Sequence, residues 1–224
     1  MGVGAWEQQA STAPLVVIAA PTTGLATTDW ALNLLQLQKV GPFECLTWRG
    51  LPFDVARNRL VKDAQAKKAR YIWFVDTDVL PPVDALPRLM RWRLPIVSGL
   101  VWAKTGSTAI WMRTSEGTLA PIKDPRIEQT EGLITVDAVP AGCLLVDMRV
   151  FDVVPYPWFR WTVDDPVERK PEFQSEDFYF CGQAQANGFR IFVDAKVKCN
   201  HETTAPVDPF GRGLTPALSF ATAN

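Results

Sequence analysis

An α/β domain with a mostly parallel, Rossmann-like central sheet flanked by helices, passing into a mixed sheet in its C-terminal half, is the fold class this sequence predicts. Three observations carry that expectation. The apolar runs Leu15–Ala20 and Tyr71–Val75 are too continuous for strands with one wet face, so both faces must be covered. Segments with helical apolar spacing fill the gaps between such runs. The chain of 224 residues, 47% apolar and 21% charged, suits one domain with a sizeable core better than two.

Taken in order, Leu15–Ala20 (LVVIAA), closed by Pro21, predicts the first buried strand. Trp30, Leu34 and Leu37, joined by Ala31 and Leu35, predict a helix from Thr28 to about Lys39. Glu44–Trp48 reads as a second strand, and Asp54 as the cap of a helix to about Ala69 that presents Ala56, Leu60 and Ala64 on one stripe. Tyr71–Val75 (YIWFV) is the third strand, and this alternation argues for parallel pairing with helices on both faces. Beyond it, Pro95–Trp102, Leu133–Val136 and Cys143–Val146 read as strands, with a loop over Thr114–Glu131. Ser175 is positioned to cap a helix ending near Asn187 and Gly188, and Arg190–Asp194 and Lys196–Cys199 are strand-like. The expected organisation is an extension over residues 1–14, one domain over 15–202, and a tail over 203–224 rich in Thr, Pro, Ala and Gly.

Charge and composition exclude several classes. Lys and Arg total 23 against 24 Asp and Glu, so no basic footprint for nucleic acid is present. No apolar stretch approaches the ~20 residues of a membrane span, and Met1–Pro14 lacks the basic start and apolar core of a secretory signal. A cytoplasmic location is therefore expected. Cys45, Cys143, Cys181 and Cys199 form no C-x-x-C pair and read as reduced, structural thiols.

Three features carry chemistry. In Tyr71-Ile-Trp-Phe-Val-Asp-Thr-Asp78 a buried strand runs directly into two carboxylates. Alternate residues of an extended segment point the same way, so Asp76 and Asp78 are expected to converge at the strand's C-terminal end, where open α/β sheets bind ligands. Two oxygen donors there suit magnesium or manganese; a polar turn before Pro81-Pro82 would also account for the pattern. Ser175-Glu-Asp177 opens a helix, where the dipole favours ionised acids and one could accept a substrate proton. His201, the single histidine, follows the last strand and can return to the edge that holds the aspartates.

The ordered set of motifs resembles the GT-A fold glycosyltransferases, family 2 in particular. It comprises Ala56-Arg-Asn-Arg-Leu60, Trp73-Phe-Val-Asp-Thr-Asp78, Val97-Ser-Gly-Leu-Val101, Ala141-Gly-Cys-Leu-Leu-Val146, Pro157-Trp-Phe159 and Ser175-Glu-Asp-Phe-Tyr-Phe180. Ala186-Asn-Gly-Phe-Arg-Ile-Phe-Val193 and His201 complete it, so the resemblance covers roughly Leu15 to His201. It implies a metal-dependent enzyme that moves one sugar from a nucleotide-diphosphate sugar to an acceptor hydroxyl, such as that of a glycan, by direct displacement with inversion.

Residue by residue, the resemblance makes Asp76, Asp78 and His201 the holders of Mn2+ or Mg2+. It places Pro21, Thr22, Arg57, Asp76 and Thr77 at the nucleotide, and Ala141 and Gly142 along the donor sugar and acceptor. Asp177 becomes the general base, with Glu176 its neighbour, and a base at a helix N-terminus is expected to have a low pKa. Of nine tryptophans, Trp102, Trp158 and Trp161 are candidates to stack on sugar, against the alternative that they are core.

The chain departs from processive synthases of that family. Its only Arg-Trp near the base, Arg160-Trp161, lies upstream of Asp177 and lacks the Q/R-x-x-R-W pattern. Two other readings remain. A haloacid-dehalogenase-like phosphatase also carries D-x-D after a strand, as in Val75-Asp-Thr-Asp-Val-Leu80, but on its first strand. A catalytically silent sugar- or nucleotide-binding protein could use the same scaffold.

Overall fold

A computed structural model of the chain describes residues 13–102, 108–122, 127, 130, 132–163 and 173–202. The expected tail and nearly all of the expected extension lie outside these residues, as does part of the expected loop 114–131.

The first half alternates as the sequence predicts: β1 (Val16–Thr22), α1 (Thr28–Gln36), β2 (Phe43–Arg49), α2 (Phe53–Ala66) and β3 (Tyr71–Val75). A two-residue strand β4 (Val79–Leu80), α3 (Ala85–Arg91) and β5 (Ile96–Val101) follow. Then come β6 (Trp111–Arg113), β7 (Leu119–Pro121), β8 (Leu133–Val136), β9 (Cys143–Asp147) and α4 (Val150–Val153). The described chain closes with β10 (Thr162–Val163), β11 (Phe173–Gln174), α5 (Glu176–Ala186) and β12 (Ile191–His201).

The main sheet has the order β2-β1-β3-β9-β5-β12-β4, with β8 also pairing β12. Pairing is parallel through β2, β1 and β3. Strand β9 runs antiparallel to both β3 and β5, and β5 is again parallel to β12. The sheet is thus a parallel front half joined to a mixed back half.

Alternation places one core on each face of the sheet. Val17, Ala19, Ile72, Phe74, Leu144 and Val146 pack with Leu60, Val61 and Ala64 of α2 and Phe180 and Ala184 of α5. Val16, Ile18, Trp73, Val75, Val97 and Leu145 face the other way, onto Leu86 and Leu89 of α3. Strands covered on both sides have no wet face, which is why these segments read as unbroken apolar runs.

Several boundaries differ from expectation, for physical reasons. Strand β1 continues through Pro21 to Thr22. Val16 donates to Pro42 on the β2 side, so Pro21, of opposite parity, would point its missing N–H toward β3, whose pairing with β1 ends at Ala19. The proline therefore removes no ladder bond. Helix α2 is capped at Pro52, and Asp54 lies inside its first turn. The two strand-like stretches before His201 are one strand, β12, with an irregularity between Asp194 and Lys198. A short hairpin pairs β6, just ahead of the expected loop, with β7 inside it. Ser175 caps α5 as expected, accepting from the Phe178 amide, and Gly188 follows the helix with φ +85°. All four cysteines are free, three of them buried. No described helix is long and apolar enough to cross a membrane.

Candidate functional site

The topology brings distant residues to one edge of the sheet. Strands β3, β5 and β12 are co-directional, so Asp76, Trp102 and His201 leave the sheet at the same side. Because β9 is antiparallel to β3, its start lies beside that edge, and the Asp76 amide donates to the Gly142 carbonyl at 3.2 Å. A Cβ on Gly142 would stand 3.0 Å from Val79 and 3.4 Å from the Asp76 carboxylate, so any side chain here would press on Val79. Strand β4 pairs Val79 with His201 and thereby holds the histidine against Asp78. Helix α5 runs back across the sheet before β12, which puts Glu176 and Asp177 at the same edge.

A cleft of about 640 Å³ opens there, lined by residues of the β1–α1 loop and by Phe53, Asp76, Thr77, Asp78, His201 and Glu202. Pro21 is on its wall. Thr22 is not; its hydroxyl accepts from the Gly24 amide and is 3.4 Å from the Leu25 carbonyl, so it folds the loop.

The two aspartates do not converge on one point. Asp76 turns to Arg57, whose Nη2 donates to Oδ1 at 2.9 Å and to Oδ2 at 3.2 Å. Asp78 faces His201, with Oδ2 3.2 Å from Nε2. The structure therefore does not gather the three expected metal holders at one point, and among the described residues no group of three or more His, Cys, Asp or Glu is arranged to hold a metal.

The pair itself has a clear chemical demand. The His201 Nδ1 lies 2.7 Å from the Trp102 carbonyl, which only accepts, so Nδ1 carries a proton. In the neutral ring Nε2 then aims a lone pair at a carboxylate oxygen, an arrangement that needs a shared cation, a proton or a metal ion. The 3.2 Å separation is close to the ~3.0 Å edge formed by adjacent ligands with ~2.1 Å bonds to an octahedral ion. A nitrogen and a carboxylate oxygen, with the ring oriented from its far side, suit manganese or a similar cation.

Arg57 was expected at the nucleotide, and its position corrects that. It is 2% exposed and pinned among three carboxylates, with its Nε 3.4 Å from Glu176 and 3.3 Å from Asp177. Its guanidinium also stands 5.6 Å from the Phe74 ring centre. Burial alone would lower its pKa, but the charges of Asp76, Asp177 and Glu176 outweigh burial and hold it above its ordinary value.

Asp177 departs from expectation in the same way. Burial, reinforced by the neighbouring Glu176 and Asp76 charges, outweighs Arg57 and the Ala141 amide and lifts its carboxyl from 3.8 to about 7. The helix dipole, worth a fraction of a kcal/mol to ~2 kcal/mol, loses to desolvation. The Asp177 side chain keeps 13% exposure, while its Oδ1 and the Nη1 of Arg57 have no hydrogen-bond partner. Oδ1 does lie 3.3 Å from the Arg57 Nε as an ion pair, so what it leaves open is a hydrogen bond that a ligand or water can supply.

Ala141 and Gly142 are buried behind Asp76 and Asp177 rather than lining the cleft. Trp158 is 5% exposed, packs on Phe151 and donates from its indole to the Val154 carbonyl, so it is core and not an acceptor contact. Trp102 serves through its carbonyl, as the group that orients His201. Trp161 is exposed.

Sequence reasoning missed three contributors. The Trp30 indole donates to the Asp76 carbonyl at 2.9 Å, holding the loop between the aspartates. Thr27, the cap of α1, donates to the Glu202 carboxylate and joins the cleft's two rims. Phe53, 40% exposed, gives the cleft an aromatic wall. A threonine ahead of a helix signals a cap, but nothing local announces a partner so far along the chain.

No family model matches this sequence, and no curated protein matches it. Solved structures do. The crystal structure of A197 from STIV aligns with a TM-score of 0.60 at 15% identity over 88% of this chain and 91% of that one. GalNAc-T7, crystallised with UDP, GalNAc and Mn2+, aligns with a TM-score of 0.52 at 10% identity over 85% of this chain and 44% of that one. At these identities the likeness is one of fold, and the fold is GT-A-like.

Proposed function

We propose that this chain is a metal-dependent glycosyltransferase that moves a single sugar from a nucleotide-diphosphate sugar to an acceptor hydroxyl. The observation that carries the proposal is the pairing of Asp78 with His201 in the wall of a cleft whose lining, among the described residues, carries Asp76, Asp78 and Glu202 and no lysine or arginine. A diphosphate enters such a cleft only in the company of cations. GalNAc-T7, of like fold, holds UDP, GalNAc and Mn2+ together, which favours a nucleoside diphosphate as the anion here.

A divalent cation held by Asp78 and His201 would neutralise the charge that develops on the departing diphosphate. The remaining work belongs to side chains of the chain. Pro21, Leu25 and Phe53 offer apolar contact to the nucleoside, with Thr77 beside it. Arg57 fixes Asp76 and Asp177 relative to each other, and Glu176 positions Arg57. Asp177, ionised, takes the proton of the acceptor hydroxyl as that oxygen bonds to the anomeric carbon. The bond from this carbon to the diphosphate oxygen breaks, its electron pair leaves with the nucleoside diphosphate, and the anomeric centre is inverted. A carboxyl with a pKa of about 7 is a better-matched base than an ordinary aspartate, because its affinity for the proton is higher while half of it is still ionised at neutral pH.

The phosphatase reading is disfavoured by two strand–helix units ahead of the D-x-D strand and by the engagement of Asp76 with Arg57. The decisive experiment is a thermal-shift screen of nucleoside diphosphates and sugar nucleotides with and without Mn2+, followed by assay of sugar-nucleotide turnover. Stabilisation that requires both nucleotide and metal, with turnover, is expected. Metal-independent stabilisation without turnover would replace the enzyme with a silent binding protein, and release of phosphate from a generic ester would restore the phosphatase.

A further inference from the structure

The outer face of α2 borders a second cavity, of about 430 Å³, which the sugar-transfer reading does not use. Its lining includes Arg59, Lys62 and Arg160 against one carboxylate, Asp54. That carboxylate is turned onto the Val55 amide at 2.8 Å, inside its own helix. Among the described residues none of the three cations has an ion pair. Arg59 lies 4.7 Å from the Trp48 ring centre and Lys62 4.1 Å from that of Tyr156. Basic side chains nearby find acids: Lys67 pairs with Glu44 at 2.6 Å, and Arg70 with Asp147 at 2.9 Å.

Three basic residues thus border one hollow with their charges resting on aromatic rings or solvent, and an anion with several oxygens is what such long side chains can meet together. The hollow is also held in shape. Asn58, buried on the same helix, donates to the Phe159 carbonyl at 2.7 Å and accepts from the Trp158 amide at 3.0 Å, tying the 157–159 loop to α2. Tyr156, 58% exposed, and Pro157 supply an apolar wall beside the charges. The volume is that of a small-ligand site.

We propose that this cavity binds a phosphorylated sugar, its phosphate among Arg59, Lys62 and Arg160 and its ring against the Tyr156–Pro157 wall. The proposal stands on its own charges and does not depend on the identity of the cleft at the sheet edge, from which the first turn of α2 separates it.

The test is calorimetry and thermal shift on the full chain in EDTA, with glucose 6-phosphate, inorganic phosphate and glucose as probes. Glucose 6-phosphate is expected to stabilise the chain, inorganic phosphate to do so more weakly, and glucose not at all, with the effect fading as salt rises. The double variant Lys62→Gln, Arg160→Gln should weaken glucose 6-phosphate by about tenfold or more, the scale of one charge-assisted hydrogen bond. Both side chains are exposed, so the unliganded Tm should hold, and Asp78→Asn should bind as the parent does. No response to either phosphate, or an undiminished response in the double variant, overturns the site. Equal responses to inorganic phosphate and glucose 6-phosphate overturn the sugar.

Discussion

Asp76 and Asp78 stand one residue apart on the same strand exit, yet they belong to different regions. Asp76 joins an inner cluster in which a buried arginine is shared by three carboxylates. Asp78 belongs to the cleft wall, where the histidine it faces is oriented from behind by a backbone carbonyl. The inner cluster sets one buried arginine among three carboxylates, whereas the outer pair sets a carboxylate against an imidazole in the cleft wall. A D-x-D pattern is therefore not one chelate here. One acid anchors the site's framework and the other faces the cleft.

That division is most sharply tested at Arg57. Arg57→Ala leaves three carboxylates in the interior without their counterion, and chemical denaturation should show a loss of about 3–5 kcal/mol. Asp78→Asn, which touches only the cleft wall, should shift stability by about 1 kcal/mol or less. Similar losses in the two variants would dissolve the distinction between the regions.

Asp177→Asn sharpens the comparison from the catalytic side, with transfer reduced by about 10²- to 10⁴-fold, the usual contribution of a general base. Its stability should move the other way. The folded state keeps the Asp177 proton up to about pH 7, while the unfolded chain releases it near 3.8. The stability this group contributes is complete below that lower value and falls as pH rises through 7. Asparagine removes the penalty, so Tm above pH 7 should rise by a few degrees over the parent. The parent's rate should climb with pH and level off above about 7, and a flat profile would remove Asp177 as the base.

The smallest effect falls on His201→Gln, which should weaken the Mn2+ dependence of nucleotide binding by about tenfold or more while leaving the Arg57 cluster and the fold in place. Nucleotide binding unchanged with and without Mn2+ would turn the outer pair into a simple ion pair.

How much of this was legible in the sequence follows from where each signal is stored. Strands β1, β3 and β9 announce themselves because both faces are dry. Strand β12 reads as two pieces because Lys196 and Lys198 alternate with buried Val197 and Cys199 after the irregularity at Asp194. Helix α3 hides behind Pro81-Pro82 and carries Pro87 in its first turn. At the site, the meeting of Asp78 with His201 could be anticipated, because both end strands that leave the sheet on one side. The burial of Arg57 could not, since an arginine beside a stripe of alanine and leucine looks like solvated surface until tertiary packing supplies its three acids. The dipole argument for Asp177 was sound locally and was overruled by desolvation, a quantity no local pattern contains. Trp158 failed for the same reason.

The Thr27–Glu202 bond spans 175 positions, and the last described strand supplies the histidine. A nascent chain that has released only its parallel front half already owns Asp76, Asp78 and Arg57, yet it has no cleft. The edge that carries both Asp78 and His201 is assembled only once β12 has threaded between β5 and β4. A chain cut before β12 would keep Asp76, Asp78 and Arg57 but lose both His201 and the Glu202 rim.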